Sequence, residues 1–229
     1  MALEYKGKTK DVYSIDDEKV RLIFKDDMTG KDGKFDPGEN QADIVVEGAG
    51  ASSLALTTHF FQLLDEKNIP SHYISSNLEE GSMDVRRANI FGKGLEIICR
   101  FKATGSFLRR YDDYISEGDD LDAYTEVSLK NDEKGDPFIS KEGLIQLGIL
   151  TGQEYDQIIN LTKQISRLVK EELAQKGLEL YDIKLEFGRD AKSQDLMLID
   201  EISGGNMRVY KDGQYLFPLD INQYVLNGK

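Results

Sequence analysis

The chain has 229 residues, 39% of them hydrophobic, which is enough for one large domain or two smaller ones sharing a cleft and too many for wholesale disorder. Its 29 Lys and Arg stand against 42 Asp and Glu, and the formal charge of −13 argues against a nucleic-acid partner, whose phosphates such a surface repels. No apolar run is long enough to span a bilayer, and a single cysteine, Cys99, excludes an internal disulfide and fits a reducing, cytoplasmic setting.

Lys10 to Ile15 and Val20 to Lys25 are apolar-rich and flank Asp16-Asp17-Glu18-Lys19, which predicts a β-hairpin. Residues 28 to 50, rich in Gly, Asp and Lys, predict loop. Ser52 or Ser53 is placed to cap a helix running to about Lys67, with Leu56, Phe60, Leu63 and Leu64 at helical spacing; Asn68-Ile69-Pro70 ends it. Leu95 to Phe101 and Tyr124 to Leu129 read as strands, with a break at Thr104-Gly105-Ser106. The clearest helical pattern covers Gln153 to Lys176, where Ile158, Leu161, Ile165, Leu168, Val169 and Leu173 share a face and Gly177 fits the stop position. Glu179 to Phe187 and Leu196 to Ile202 follow as strands, and Gln214 to Lys229 as a short strand and loop. Strands paired around isolated helices favour an α+β fold with mainly antiparallel sheets over a doubly wound parallel one. The expected division is a small β-rich N-terminal domain over 1–80 and a larger α+β domain over 81–229.

Within Tyr181 to Gly188, strand alternation puts Asp182, Lys184 and Glu186 on one side and Ile183, Leu185 and Phe187 on the other. A charged row is also what the solvent face of an edge strand looks like. The next strand weighs against that reading: it is apolar until Asp200-Glu201, and carboxylates at the end of a buried strand need a cation. Glu186 with Asp200 or Glu201 suits Mg²⁺, a hard ion that takes a few carboxylates together with substrate phosphate oxygens. Lys184 between them suits an anionic group of a substrate.

Two further stretches are basic. Tyr5 to Tyr13 sets Gly7 among Lys6, Lys8 and Lys10 at the start of a strand, where the backbone can approach a ligand and lysines can meet phosphates. It is no Walker A loop, since no glycine precedes Gly7-Lys8-Thr9 at the required spacing, and an ordinary basic turn is the plain alternative. Arg100 to Ser106, followed by Arg109-Arg110, is a concentrated positive stretch able to clasp a phosphate, or else to pair with Asp112, Asp113 or Glu117. His59 and His72 read as structural or surface residues and Cys99 as a buried small hydrophobe.

YKGKTKDVY from Tyr5, FKDDMT from Phe24, RFKATGS from Arg100, LKNDEKGDPFI from Leu129, YDIKLEFG from Tyr181 and LIDEIS from Leu198 follow one another along the chain. In these motifs and their order the chain resembles the SAICAR synthetase (phosphoribosylaminoimidazole-succinocarboxamide synthase) family. The resemblance implies an ATP-grasp-like fold with nucleotide between a small β-rich domain and a larger one. It implies an ATP-dependent ligase of purine biosynthesis that activates the carboxylate of carboxyaminoimidazole ribotide as an acyl phosphate and joins it to L-aspartate. By the same resemblance Lys8, Lys10 and Lys25 fall at nucleotide positions, and Glu186 and Asp200 at Mg²⁺ positions. Arg100, Ser106 and Arg208 fall where the ribotide phosphate is held, and Lys184 faces the reacting carboxylates. ATP and Mg²⁺ are the implied cofactors, small molecules the partners, and a homo-oligomer the expected assembly.

The chain also departs from the family pattern. Phe101 and Thr104 replace the Asn and second Ala of R-N-x-A-A-G-S, and Met28 to Gly33 replaces A-T-A-F-N-G. Ser203-Gly204-Gly205 stands for S-P-D, Tyr210-Lys211 for a Trp-Asp pair, and the closing D-K-D-x-F-R segment with its terminal helix is not found. Two alternatives therefore stay open: a paralogue ligating a different amine or carboxylate, and a non-catalytic nucleotide-binding homologue.

Overall fold

The computed structural model describes residues 1–31, 34–35 and 44–227. β1 (Ala2–Lys6), β2 (Lys10–Ser14) and β3 (Lys19–Phe24) form an antiparallel meander that contains the expected hairpin. Val20, Leu22 and Phe24 alternate into the core along β3 while Lys19, Arg21 and Ile23 do not, the period-two pattern of a half-buried strand. The stretch expected to be loop holds two short pairs, β4 (Asp27–Met28) with β7 (Ile44–Val45) and β5 (Gly30–Lys31) with β6 (Lys34–Phe35). Residues 32–33 and 36–43 of that stretch lie outside the described residues.

α1 (Ala49–Glu66) begins before the serines expected to cap it. Its first turn is held from a distance: Asp26 Oδ1 accepts from the Gly50 N–H at 2.9 Å, a long-range substitute for a local cap. β8 (Tyr73–Asn77) and β9 (Ser82–Arg86) complete the first sheet, in the order β1-β2-β3-β9-β8.

The second sheet takes β10 (Ala88–Ile90), β11 (Leu95–Lys102), β12 (Asp120–Leu129), β13 (Glu179–Asp190), β14 (Leu196–Ile199), β15 (Met207–Lys211) and β16 (Gln214–Tyr215). The order is β12-β11-β13-β15-β16, with β10 and β14 pairing to the far half of β13. Between these strands lie α2 (Gly105–Tyr111), a 3-10 turn at Asp132–Lys134, α3 (Lys141–Gln146) and α4 (Gly152–Ala174). β13 runs beyond the expected Phe187 because β10 and β14 supply partners for Gly188 and Arg189.

α4 starts at a capping box in which Thr151 and Glu154 satisfy each other's backbone N–H groups. It buries Ile158, Ile165, Val169 and Leu173 against β11, β12 and β13. The opposing apolar face is set by register, since Ile97 stands between Val127 and Leu185 and Cys99 beside Ile183, all in one core. The tail differs from the strand and loop expected over Gln214 to Lys229: after β16 it forms α5 (Pro218–Val225). Proline opens this helix, where its missing N–H costs nothing, and Ile221 and Val225 are buried as α5 packs on α1. No helix among the described residues is long and apolar enough to cross a membrane.

Candidate active site

Antiparallel register gathers Arg100, Asp182, Lys184 and Arg208 of the second sheet on the face opposite α4. Ile98 pairs with Lys184, and Arg100 with Asp182, which in turn pairs with Arg208. β13 is hydrogen-bonded on both sides, so its charged row is not the solvent face of an edge strand. A cleft of about 300 Å³ opens there, lined by Glu96, Arg100, Ser106, Arg109, Lys184 and Arg208 among others.

Arg100 is only 1% exposed. Its guanidinium binds the Asp182 carboxylate, reaches Glu126 Oε1 at 2.9 Å and donates to Ser106 Oγ at 2.9 Å. It does not pair with Asp112, Asp113 or Glu117, because β11 carries it inward. Arg208 Nη1 joins the same Asp182 at 2.8 Å, and Arg110 holds the other Glu126 oxygen at 2.5 Å. Lys184 donates to Glu96 Oε1 at 2.7 Å. Burial pulls the Lys184 ammonium down, but the charge and hydrogen bond of Glu96 together with the charge of Glu186 outweigh it, and the net shift is upward. Arg109 is exposed at the rim, and no acid holds it among the described residues.

Gly105 shapes this corner. Its φ is +55°, and a Cβ there would lie 2.7–2.9 Å from the Arg208 guanidinium. Gly105→Ala is therefore expected to cost about 1–2 kcal/mol, from the left-handed backbone and from pushing Arg208 off Asp182. A lowered melting temperature by calorimetry checks it. Burial chiefly raises the Tyr210 hydroxyl nearby, with Thr104, another departure from the family pattern, acting the other way. Tyr210 also stacks on Tyr181 with ring centroids 3.7 Å apart.

A second cluster lies where β14 gives way to Asp200-Glu201. Asp200 adopts a left-handed backbone, φ +66°, and the strand expected to reach Ile202 stops before it, at Ile199. Lys10, 9% exposed, bridges Asp200 Oδ1 at 3.0 Å and Glu201 Oε2 at 2.7 Å. Glu201 accepts in addition from Ser203 Oγ at 3.0 Å. Burial opposes the charge on Lys10, and the two carboxylates more than reverse that, so it titrates above an ordinary lysine. Glu186 accepts from Lys130 Nζ at 2.7 Å. Burial, then the nearby Asp200 charge, raises the Glu186 carboxyl. Burial acts the same way on Asp200, but Lys10 and Lys130 win and hold it at about 2. Two neighbouring acids with opposed proton affinities amid lysines mark a site built for charge.

The structure thus brings Lys10, Lys184, Glu186 and Asp200 together and Arg100, Ser106 and Arg208 together over one face of the second sheet, with Lys10 reaching in from β2 of the first sheet, Ser106 from α2 and Asp200 from just beyond β14. Lys8 and Lys25 stand at the edge of this constellation. Lys8 reaches Asp132 in the 3-10 turn, and Lys25 donates to the Gly7 carbonyl at 2.8 Å. Gly7, expected to admit a ligand, admits its own chain: a Cβ would lie 2.3 Å from the Lys10 carbonyl oxygen, which accepts the Gly7 N–H.

Sequence reasoning missed Lys130, Glu96 and Glu126. Lys130 stands in the motif LKNDEK without a role, and although desolvation opposes its charge, the Glu186 and Asp200 carboxylates beside it more than reverse that, so it titrates above an ordinary lysine. Of the histidines, His59 lies 3.2 Å from Glu172 Oε1 on α4. His72 is 4% exposed, its ring Nε2 is 3.2 Å from the Asp200 carbonyl oxygen, and burial chiefly lowers it to about 4. Among the described residues no group of three or more His, Cys, Asp or Glu gathers as a metal cage.

The sequence profile described as SAICAR synthetase matches residues 3–225. The chain belongs to the SAICAR synthetase family. A phosphoribosylaminoimidazole-succinocarboxamide synthase of Clostridium tetani is 57% identical over 226 residues, 99% of this chain and 100% of that protein. Its counterpart in Methanocaldococcus jannaschii is 33% identical over 208 residues, 90% of this chain and 80% of that one. A solved SAICAR synthetase (Type-2) in complex with ADP aligns at TM-score 0.83 and 32% identity, covering 96% of this chain and 89% of that chain. Phosphoribosylaminoimidazole-succinocarboxamide synthase from Ehrlichia chaffeensis aligns at TM-score 0.83 and 28% identity, covering 98% and 91%. The mixed α and β architecture with antiparallel sheets is that of SAICAR synthetase structures.

Proposed function

We propose that the chain is an ATP- and Mg²⁺-dependent carbon–nitrogen ligase that condenses carboxyaminoimidazole ribotide with L-aspartate in purine biosynthesis. The observation that carries this is the cluster over one face of the second sheet in which the acids Glu186 and Asp200, ringed by Lys10, Lys130 and Lys184, adjoin a cleft bearing Arg100, Arg109 and Arg208. The carboxylates of Glu186 and Asp200 fit Mg²⁺, which takes one or two carboxylates and completes its shell with phosphate oxygens and water. When bound, the ion neutralises the phosphoryl oxygens and aligns them.

The protein's share is positioning and electrostatics, since phosphoryl transfer to a carboxylate needs no covalent protein group. In this reading Lys8, Lys10 and Lys25 bind the nucleotide, and Glu186 and Asp200 hold the metal. Arg100, Ser106 and Arg208 form the wall that meets the ribotide phosphate. Lys184, held cationic by Glu96, orients the carboxylate that takes the γ-phosphoryl group. Attack by the aspartate amine on the acyl phosphate then gives the amide and releases phosphate. The 57% identity to the Clostridium tetani synthase favours this reading over a paralogue or a non-catalytic homologue.

An ATP-grasp-like arrangement with nucleotide between two units belongs to the same proposal. A boundary at residue 80 would separate β8 from β9 within one sheet, whereas one just after Arg86 leaves that sheet whole. The cytoplasmic setting accords with the lone buried Cys99, and a homo-oligomer rests on the resemblance alone.

The test is phosphate release from ATP and Mg²⁺ with carboxyaminoimidazole ribotide, with and without L-aspartate. Aspartate-dependent release with formation of the amide is the expected result. Silence from a folded, nucleotide-binding protein would transfer the reading to a ligase with another substrate.

A further inference from the structure

We propose that His72 is a positioning residue that fixes Asp200, through a hydrogen bond from its Nε2–H to the Asp200 carbonyl, in the conformation that presents the Asp200 carboxylate to Mg²⁺. The proposal rests on the assignment of Asp200 to the metal. Residues 70–72 zip onto β14: Leu198 N–H donates to the Pro70 carbonyl at 3.0 Å and His72 N–H to the Leu198 carbonyl at 2.8 Å. From the other side, Arg86 N–H at the end of β9 donates to the His72 carbonyl at 2.7 Å. The backbone of His72 is thus pinned between the two sheets, and its ring packs edge-on against Phe61 at 5.5 Å between centroids.

Ring Nε2 stands 3.2 Å from the Asp200 carbonyl oxygen. A carbonyl only accepts, so Nε2 carries the proton. No other donor among the described residues reaches that oxygen. Asp200 gains from such a hold, because its φ of +66° is a left-handed conformation that aspartate visits more readily than most residues but that is still less favourable than the β region unless its surroundings favour it. That backbone turn sends the side chain to Lys10 at 3.0 Å and into the field of Glu186. Without the bond from His72 the residue is free to relax toward the ordinary β region, which swings the carboxylate away. A hydrogen-bonded support of a metal ligand typically sets 10–100-fold of metal affinity. His72 is placed to act in that way through the ligand's backbone.

The experiment compares the full-length chain with His72→Phe, which keeps an aromatic ring and loses the donor, and His72→Gln, which restores an N–H at similar reach. ADP binding is followed calorimetrically across a Mg²⁺ series, so the readout does not depend on turnover. His72→Phe is expected to raise the Mg²⁺ concentration for half-maximal ADP binding by about 10–100-fold while Mg²⁺-free ADP binding is unchanged, and His72→Gln to recover most of the loss. Nitrogen NMR of the wild-type histidines, which needs no variant to fold, is expected to show His72 as the Nε2–H tautomer. An unshifted Mg²⁺ curve in His72→Phe, a His72→Gln curve as poor as that of Phe, or an Nδ1–H tautomer would each overturn the positioning role alone. ADP binding by the wild type with no Mg²⁺ dependence would overturn the metal assignment itself, and the proposal with it.

Discussion

Asp200→Asn is expected to leave a folded chain whose Mg²⁺-dependent phosphate release has fallen by about 10³-fold, the scale of losing one preorganised charge at a phosphoryl-transfer site. Asparagine is the informative replacement because it matches aspartate in shape and tolerates the left-handed backbone at φ +66°, so the variant removes a charge and little else. The buried Lys10 ammonium is not orphaned, since Glu201 still holds it at 2.7 Å. Glu186→Gln is the companion variant: its amide oxygen can still accept from Lys130, which now lies 2.7 Å from the carboxylate, but the second metal-binding charge is gone. Both variants should melt within a few degrees of the wild type and bind ribotide normally. Full phosphate release in either would remove that carboxylate from the metal site.

The parts of the site legible in the sequence were those set by period. Alternation along Tyr181 to Phe187 placed Asp182, Lys184 and Glu186 on one face, and the register of β13 with β11 and β15 keeps them there. The helical stripe of α4 was equally plain because its cap is local, Thr151 and Glu154 three residues apart. What escaped depends on partners distant along the chain. Asp26, not a serine of the helix itself, meets the first turn of α1. Lys130 belongs to the site through Glu186, 56 residues away. Glu96 did leave a mark, as the lone acid in the apolar run Leu95 to Cys99: an acid there must find a cation, and β13 presents Lys184. α5 hid for a different reason, being eight residues long with too few turns for a helical stripe to stand out.

Arg100→Ala is expected to lower the melting temperature of the ligand-free protein by about 10 °C, and this places Arg100 differently from the simple phosphate contact read from its motif. At 1% exposure its guanidinium is a buried cation shared between Asp182 and Glu126. Removing one partner of such a network typically costs about 3–5 kcal/mol, and in a chain of this size each kcal/mol is worth roughly 2–4 °C. The loss stops short of unfolding because neither acid is abandoned: Arg208 keeps Asp182 at 2.8 Å and Arg110 keeps Glu126 at 2.5 Å. Arg208→Ala should be milder in stability, since it leaves the Arg100–Asp182 pair intact, yet comparable in its effect on ribotide KM. Arg100→Lys should fall between wild type and Ala, keeping the charge while losing the fork that reaches Asp182, Glu126 and Ser106 together. Calorimetric melting alongside ribotide KM separates the two roles. A raised KM with an unmoved melting temperature would make Arg100 a ligand contact alone. A large drop in melting temperature with an unmoved KM would make it the scaffold that holds Ser106 and Asp182 in place and would leave the phosphate to Arg208 and Arg109.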